Sequence, residues 1–224
     1  MTKRILDASL NEYYQYFSGF AYFLPSVGES HESKVAFNKN HSTCIILIDR
    51  CASTFLQKKL QEAGFHLIIN NEVQKATISS VTTFLRNPND RYLSALKRVS
   101  LHLDSWCGPS LAKKILKDSL SSNHFILSDH CCPQHIYLDV FDNIKEIKYL
   151  IVENNIQDQL KTYLNIDILD NKKVHTSKSF ECLNLDLIKI CENLFSKYCL
   201  NNKEFYSLYE KDWDLYNFAI KELE

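Results

Sequence analysis

Five short apolar runs alternate with helical patterns along this chain, an order that specifies a sheet layered with helices. The runs are Cys44–Ile48, His66–Asn70, Val81–Arg86, His124–Leu127 and Ile147–Val152. The first, third and fifth are rich in Ile, Val and Leu without strict alternation, as in parallel strands covered on both faces. Helical periodicity marks Thr54–Ala63, Asn87–Leu103, Pro109–Leu120, Gln134–Phe141, Ile156–Leu164, Leu183–Tyr198 and Asn202–Lys221. Asn87 has the composition of an N-cap, with Pro88 in the first turn and Asp90 three residues on. Gly64 is a suitable helix stop. Strand–helix alternation of this kind predicts βαβ units with right-handed crossovers. Residues 1–40 are expected to form an extension, with a helix over Ile5–Phe17 and then a loop.

Composition narrows the class. With 224 residues and 45% hydrophobic content, one domain can bury a substantial core. A formal net charge of -1 supplies no global field for nucleic acid or an anionic membrane, so anion binding has to come from locally placed arginine. Only 4 Gly and 4 Pro argue against a turn-rich all-β protein. Eight cysteines are spread through strand and helix patterns, which favours reduced thiols over a disulfide framework. No stretch has the uninterrupted apolar length of a membrane helix, and the expectation is a cytoplasmic protein.

Two strand-to-helix junctions carry the chemistry. In open parallel sheets, ligands bind beyond the carboxyl ends of the strands. The first junction is Asp49-Arg50-Cys51-Ala52-Ser53-Thr54-Phe55. A helix N-terminus offers unpaired N–H groups and partial positive charge; Arg50 adds a full charge, and Ser53 and Thr54 add hydroxyls. The pattern lacks G-x-x-x-x-G-K-[ST], so it is not a Walker loop. The second junction is Arg86-Asn87-Pro88-Asn89-Asp90-Arg91-Tyr92-Leu93-Ser94. Arg91 and Ser94 are three apart on one helix and share a face, and Lys97 and Arg98 continue the positive charge. Two such junctions predict a ligand with two separated phosphate-like groups.

The pair resembles the sulfotransferase superfamily, particularly its carbohydrate-type branch. R-C-A-S-T-F is similar to the family's 5′-phosphosulfate loop, with Asp49-Arg50 where Pro-Lys is common. F-L-R-N-P-x-x-R-x-x-S is similar to its 3′-phosphate motif. His130-Cys131-Cys132-Pro133-Gln134 resembles the family's H-x-x-P-Q stretch, and Ile147 to Leu160 its late strand with a terminal Glu and the following helix. The match spans about residues 43–165.

The resemblance implies a single domain over 1–224 with a P-loop-like three-layer α/β fold, a central mostly parallel sheet of about five strands flanked by helices. It implies sulfuryl transfer from 3′-phosphoadenosine 5′-phosphosulfate (PAPS), a co-substrate, to a hydroxyl acceptor, expected to be a glycan, without a metal. Arg50, Cys51, Ala52, Ser53, Thr54 and Phe55 would hold the 5′ phosphosulfate, and Arg86 and Ser94 the 3′ phosphate. Arg50 would also act in catalysis, on the leaving oxygen. Glu72 and His130 are the two candidates for general base. Glu72 stands first because it follows the carboxyl end of its strand, whereas His66 opens that strand about 15 Å away. Glu153 either caps the next helix or lines the cleft. The alternatives are a non-catalytic nucleotide-binding module and a kinase-like P-loop enzyme.

Overall fold

A computed structural model describes residues 34–38, 43–69, 80–138, 147–166 and 185–224. The expected helix at Ile5–Phe17 lies outside them. The described chain is α/β, with a five-stranded mixed sheet flanked by helices. It divides into two compact units. Among the described residues no helix is long and apolar enough to cross a membrane.

The sheet unit, as described, holds residues 34–38, 43–69, 80–91, 133–138, 147–166 and 210–224. Its strands are β1 (Lys34–Asn38), β2 (Thr43–Leu47), β3 (His66–Ile69), β4 (Ser80–Leu85) and β5 (Ile147–Ile151), in the order β3-β1-β2-β4-β5. The pairs β2–β4 and β4–β5 are parallel; β1 runs antiparallel to both β2 and β3. The sheet is therefore mixed rather than mostly parallel. The difference comes from β1, which falls where the sequence pattern gave a loop. Only Val35, Ala36 and Phe37 are buried in it, a run too short to announce a strand without its pairing to the adjacent β2 and the more distant β3.

Two helices of this unit cover one sheet face. Helix α1 (Ser53–Glu62) buries Leu56, Lys59 and Leu60, the i, i+3, i+4 positions of one helical side. Leu56 and Leu60 join Ala36, Ile45, Leu47, Phe84 and Leu150 in one apolar cluster. Ile156 and Leu160 of the later helix Ile156–Leu164 enter the same cluster. Residues of β2 on the other face, Cys44 and Ile46, are also 0% exposed, so both faces of this strand are covered. Truncating a residue such as Leu60 to alanine removes about 2–5 kcal/mol. Gly64, at φ 85, ends the first turn beyond α1, a backbone conformation that costs glycine little.

The helical unit, as described, holds Tyr92–Cys132 and the 185–209 part of the chain. Helix α2 (Pro88–Cys107) starts in the sheet unit, with Asn87 as N-cap: its Oδ1 accepts from the Asn89 and Asp90 amides at 3.0 and 3.4 Å. From Tyr92 onward it belongs to the helical unit with α3 (Pro109–Ser121). In chain order the remaining helices are α4 (Ile156–Leu164, of the sheet unit), α5 (Leu185–Tyr198), α6 (Lys203–Leu208) and α7 (Glu210–Leu223, of the sheet unit). Tyr92 meets Phe205 at 4.9 Å, Tyr209 at 5.6 Å and Phe195 at 6.0 Å between ring centroids. Phe205 also takes Phe125 edge-on at 5.3 Å. The expected strand His124–Leu127 is absent here. Phe125 is buried by aromatic contacts and its carbonyl accepts from the Tyr92 hydroxyl at 2.9 Å, so its polar group is satisfied without a ladder.

Two helix expectations also change. Gln134–Phe141 is, in its described part, a 3₁₀ turn over Gln134–Tyr137 followed by Leu138. The expected single helix Asn202–Lys221 is interrupted at Tyr209, whose φ of -106 and ψ of 12 leave the helical region. Its hydroxyl donates to the Cys131 carbonyl, a long-range hydrogen bond that accompanies the break.

Candidate functional site

The parallel β2–β4 pair puts both sequence junctions at one end of the sheet. Ile46 lies opposite Thr83 in the register, so β2 and β4 deliver Asp49 and Arg86 side by side. In the first loop the Cys51 amide donates to the Ile48 carbonyl at 3.1 Å, closing a tight turn. Arg50 and Ala52 take φ of 65 and 58, left-handed positions usually left to glycine. Ala52 is the N-cap of α1 and makes no side-chain cap bond. The first-turn amides of α1 therefore lack the internal acceptor that Ser or Asp would provide there. Ser53 and Phe55 are half-buried and Thr54 is exposed.

The second junction braces the first. Arg91, 1% exposed, donates from Nε to the Asp49 carbonyl at 2.9 Å, with its guanidinium 5.6 Å from the Tyr137 ring. Arg86 donates from Nη1 to the Arg50 carbonyl at 3.3 Å. Cys51 donates from Sγ to Gln134 Oε1 at 3.1 Å. Three consecutive loop residues are thus held by side chains from elsewhere in the sheet unit. Cys51 is 1% exposed, so only its backbone can take part in anion binding. Burial pushes its thiol from 9.0 to about 12, against the pull of Arg91 and Arg86.

Gln134 is the hub of this arrangement. It is 0% exposed. Its Oε1 accepts from the Arg86 amide at 2.9 Å and its Nε2 donates to the Arg86 carbonyl at 2.8 Å. That is the pair of bonds a neighbouring strand would make. Asp212 of α7, 1% exposed, holds the turn that carries it: Oδ2 accepts from the Gln134 amide at 2.6 Å and Oδ1 from the His135 amide at 2.9 Å. The same Oδ1 lies 2.9 Å from His135 Nδ1.

Glu153, just beyond β5, brings in the third parallel strand. Its Oε1 accepts from the Asn87 amide at 2.9 Å and lies 4.0 Å from Arg86 Nε. It does not cap α4. Asn155 does, accepting from the Gln157 and Asp158 amides. Tyr216 of α7 is 8% exposed, and its hydroxyl is held in the neutral form by burial first, then by the charge of Glu153 and a hydrogen bond to it.

The residues expected to act are shared out over the two units. Arg50, Cys51, Ala52, Ser53, Thr54, Phe55 and Arg86 belong to the sheet unit. Ser94, in the second turn of α2, and His130, in a 3₁₀ turn over Asp129–Cys131, belong to the helical unit. Glu72 lies outside the described residues. Lys97, expected to extend the positive charge of α2, pairs with Glu192 at 2.7 Å. Sequence reasoning noticed Gln134 inside a motif but gave it no role, and passed over Asp212. An Asp in the interior pattern of an amphipathic helix was the available signal for the latter. The chain matches no family model, no curated protein and no solved structure.

Proposed function

We propose that the chain is a PAPS-dependent sulfotransferase of P-loop-like architecture acting on a hydroxyl group, with a carbohydrate as the acceptor class. The carrying observation is the braced pair of junctions at the carboxyl ends of adjacent parallel strands, one leading into the uncapped N-terminus of α1 and the other presenting Arg86. An uncapped helix start flanked by Arg50, Ser53 and Thr54 suits the 5′ phosphosulfate. Arg86 suits the 3′ phosphate, with Ser94 assigned to it by the sequence motif.

In this proposal the acceptor oxygen forms a bond to sulfur as the bond from sulfur to the 5′-phosphate oxygen breaks. The acceptor proton passes to a general base, Glu72 or His130. Charge develops on the leaving phosphate oxygen, and Arg50 stabilises it there. Positioning and charge stabilisation supply the catalysis, as in phosphoryl transfer.

Adenosine 3′,5′-bisphosphate is expected to raise the melting temperature, and ATP with magnesium is not. Sulfate transfer from radiolabelled PAPS to a glycan panel tests the reaction itself. Absence of stabilisation by the bisphosphate overturns the nucleotide assignment; binding without transfer to any acceptor supports a non-catalytic module.

A further inference from the structure

We propose that Gln134 is the positioning residue that fixes the spacing of the two anion-binding junctions, and that Asp212 holds it in place. The proposal rests on the sulfotransferase reading and names what sets the geometry of that site.

A ligand with two separated phosphates gains affinity from the second contact only when both sites are held at the matching distance. Beside the direct bonds from Arg86 and Arg91 to the first loop, Gln134 is a buried side chain from outside both junctions that bonds to each, through Cys51 Sγ on the first and through both backbone polar groups of Arg86 on the second. A carboxamide suits this place. Its oxygen accepts from Arg86 and Cys51 while its nitrogen donates to the Arg86 carbonyl, a division of roles that an ionised carboxylate cannot reproduce. Asp212 fixes the height of the carboxamide by capping the turn beneath it, accepting from the Gln134 and His135 amides. The charged groups that act on the bonded partner Cys51 are Arg91, Arg86, Asp212 and Glu153. The His135 ring faces Asp212 beside them.

The test compares a two-phosphate probe with a one-phosphate probe by titration calorimetry: adenosine 3′,5′-bisphosphate against adenosine 5′-monophosphate. The wild type is expected to prefer the bisphosphate by about tenfold or more. Gln134→Met conserves volume; it is expected to lose most of that preference while its affinity for the monophosphate changes less than about threefold. Gln134→Glu gives an independent readout. Protonated, its carboxyl donates to the Arg86 carbonyl as the amide does; ionised, it repels that carbonyl. Burial raises its pKa, so its preference, taken relative to the wild type at the same pH, is expected to be present in acid and lost as pH rises. Variants that retain the wild-type preference, or that lose both ligands equally, overturn the positioning role. A wild type with no preference overturns the sulfotransferase reading and the proposal together, and it is recognised without any variant.

Discussion

At the scale of single residues, the first junction achieves with ordinary side chains what glycine usually provides. Arg50 and Ala52 both sit at positive φ, where a Cβ is crowded. For Arg50 the strained position is where its guanidinium is wanted by the proposed chemistry. Ala52 has no such tie: its methyl group carries no polar atom and, partly buried, rests against the apolar cluster. Ala52→Gly is therefore expected to stabilise the protein by about 1 kcal/mol, since glycine tolerates the left-handed region and is also the better N-cap. Urea unfolding checks this: the midpoint should rise with an unchanged slope, and a fall would mean that the methyl group packs usefully against the core. The same residues show why motif spelling is an incomplete guide. Cys51 occupies a loop position that the resemblance assigns to the ligand, yet its side chain turns inward to Gln134.

At the scale of elements, short side-chain-to-backbone bonds hold the segments that lack a ladder or a full helix. The turn Gln134–Tyr137 is too short to stand alone, and Asp212 satisfies its leading amides. Asp212→Ala removes a charged acceptor from two buried or half-buried donors, with an expected loss of about 2–4 kcal/mol. A lower urea midpoint with unchanged slope is the measurement. The segment around Phe125 is held in the same manner within the helical unit. Tyr92→Phe keeps the ring that meets Phe205 and Tyr209 but deletes the donor to the Phe125 carbonyl. The expected cost is about 1–2 kcal/mol, read in the same way; an unchanged midpoint would show that the carbonyl finds another donor. In both places burial is visible in the sequence, but the partner lies 33 to 78 positions away. Local periodicity carries no information about such pairs. The apolar pattern of β2 and β4 marks strands because residues on both faces of each are buried, and in β5 burial is confined to Leu150 and Ile151. His124–Leu127 is also a short apolar run, and its Phe125 becomes aromatic packing instead. The site divides similarly. Arg50 and Arg86 were legible because parallel strands send their carboxyl ends to one side. The tie through Gln134, Asp212 and Glu153 was not, because it depends on which long-range neighbours meet.

At the scale of the whole molecule, buried thiols are distributed through both units. Cys44 and Cys51 lie in the sheet unit and Cys199 in the helical unit, and all seven cysteines among the described residues are free. Burial raises the thiols of Cys44, Cys51 and Cys199 from 9.0 to about 12. The unfolded chain releases these protons from about pH 9, while the folded chain keeps them until about 12. The neutral thiols therefore contribute their full stabilisation below pH 9 and lose it as pH rises through the window from 9 to about 12. Within that window each thiol adds to the fall in stability as pH rises. Tyr149 and Tyr216, also raised by burial, act in the same direction at higher pH. Urea midpoints measured under reducing conditions at about pH 8, 9.5 and 10.5 should fall with increasing steepness. Replacing Cys44, Cys51 and Cys199 by alanine lowers the starting stability but should flatten that fall, because the alanine chain has no such protons to release on unfolding. A variant as steep as the wild type would assign the alkaline loss to Cys107, Cys191 and the tyrosines instead.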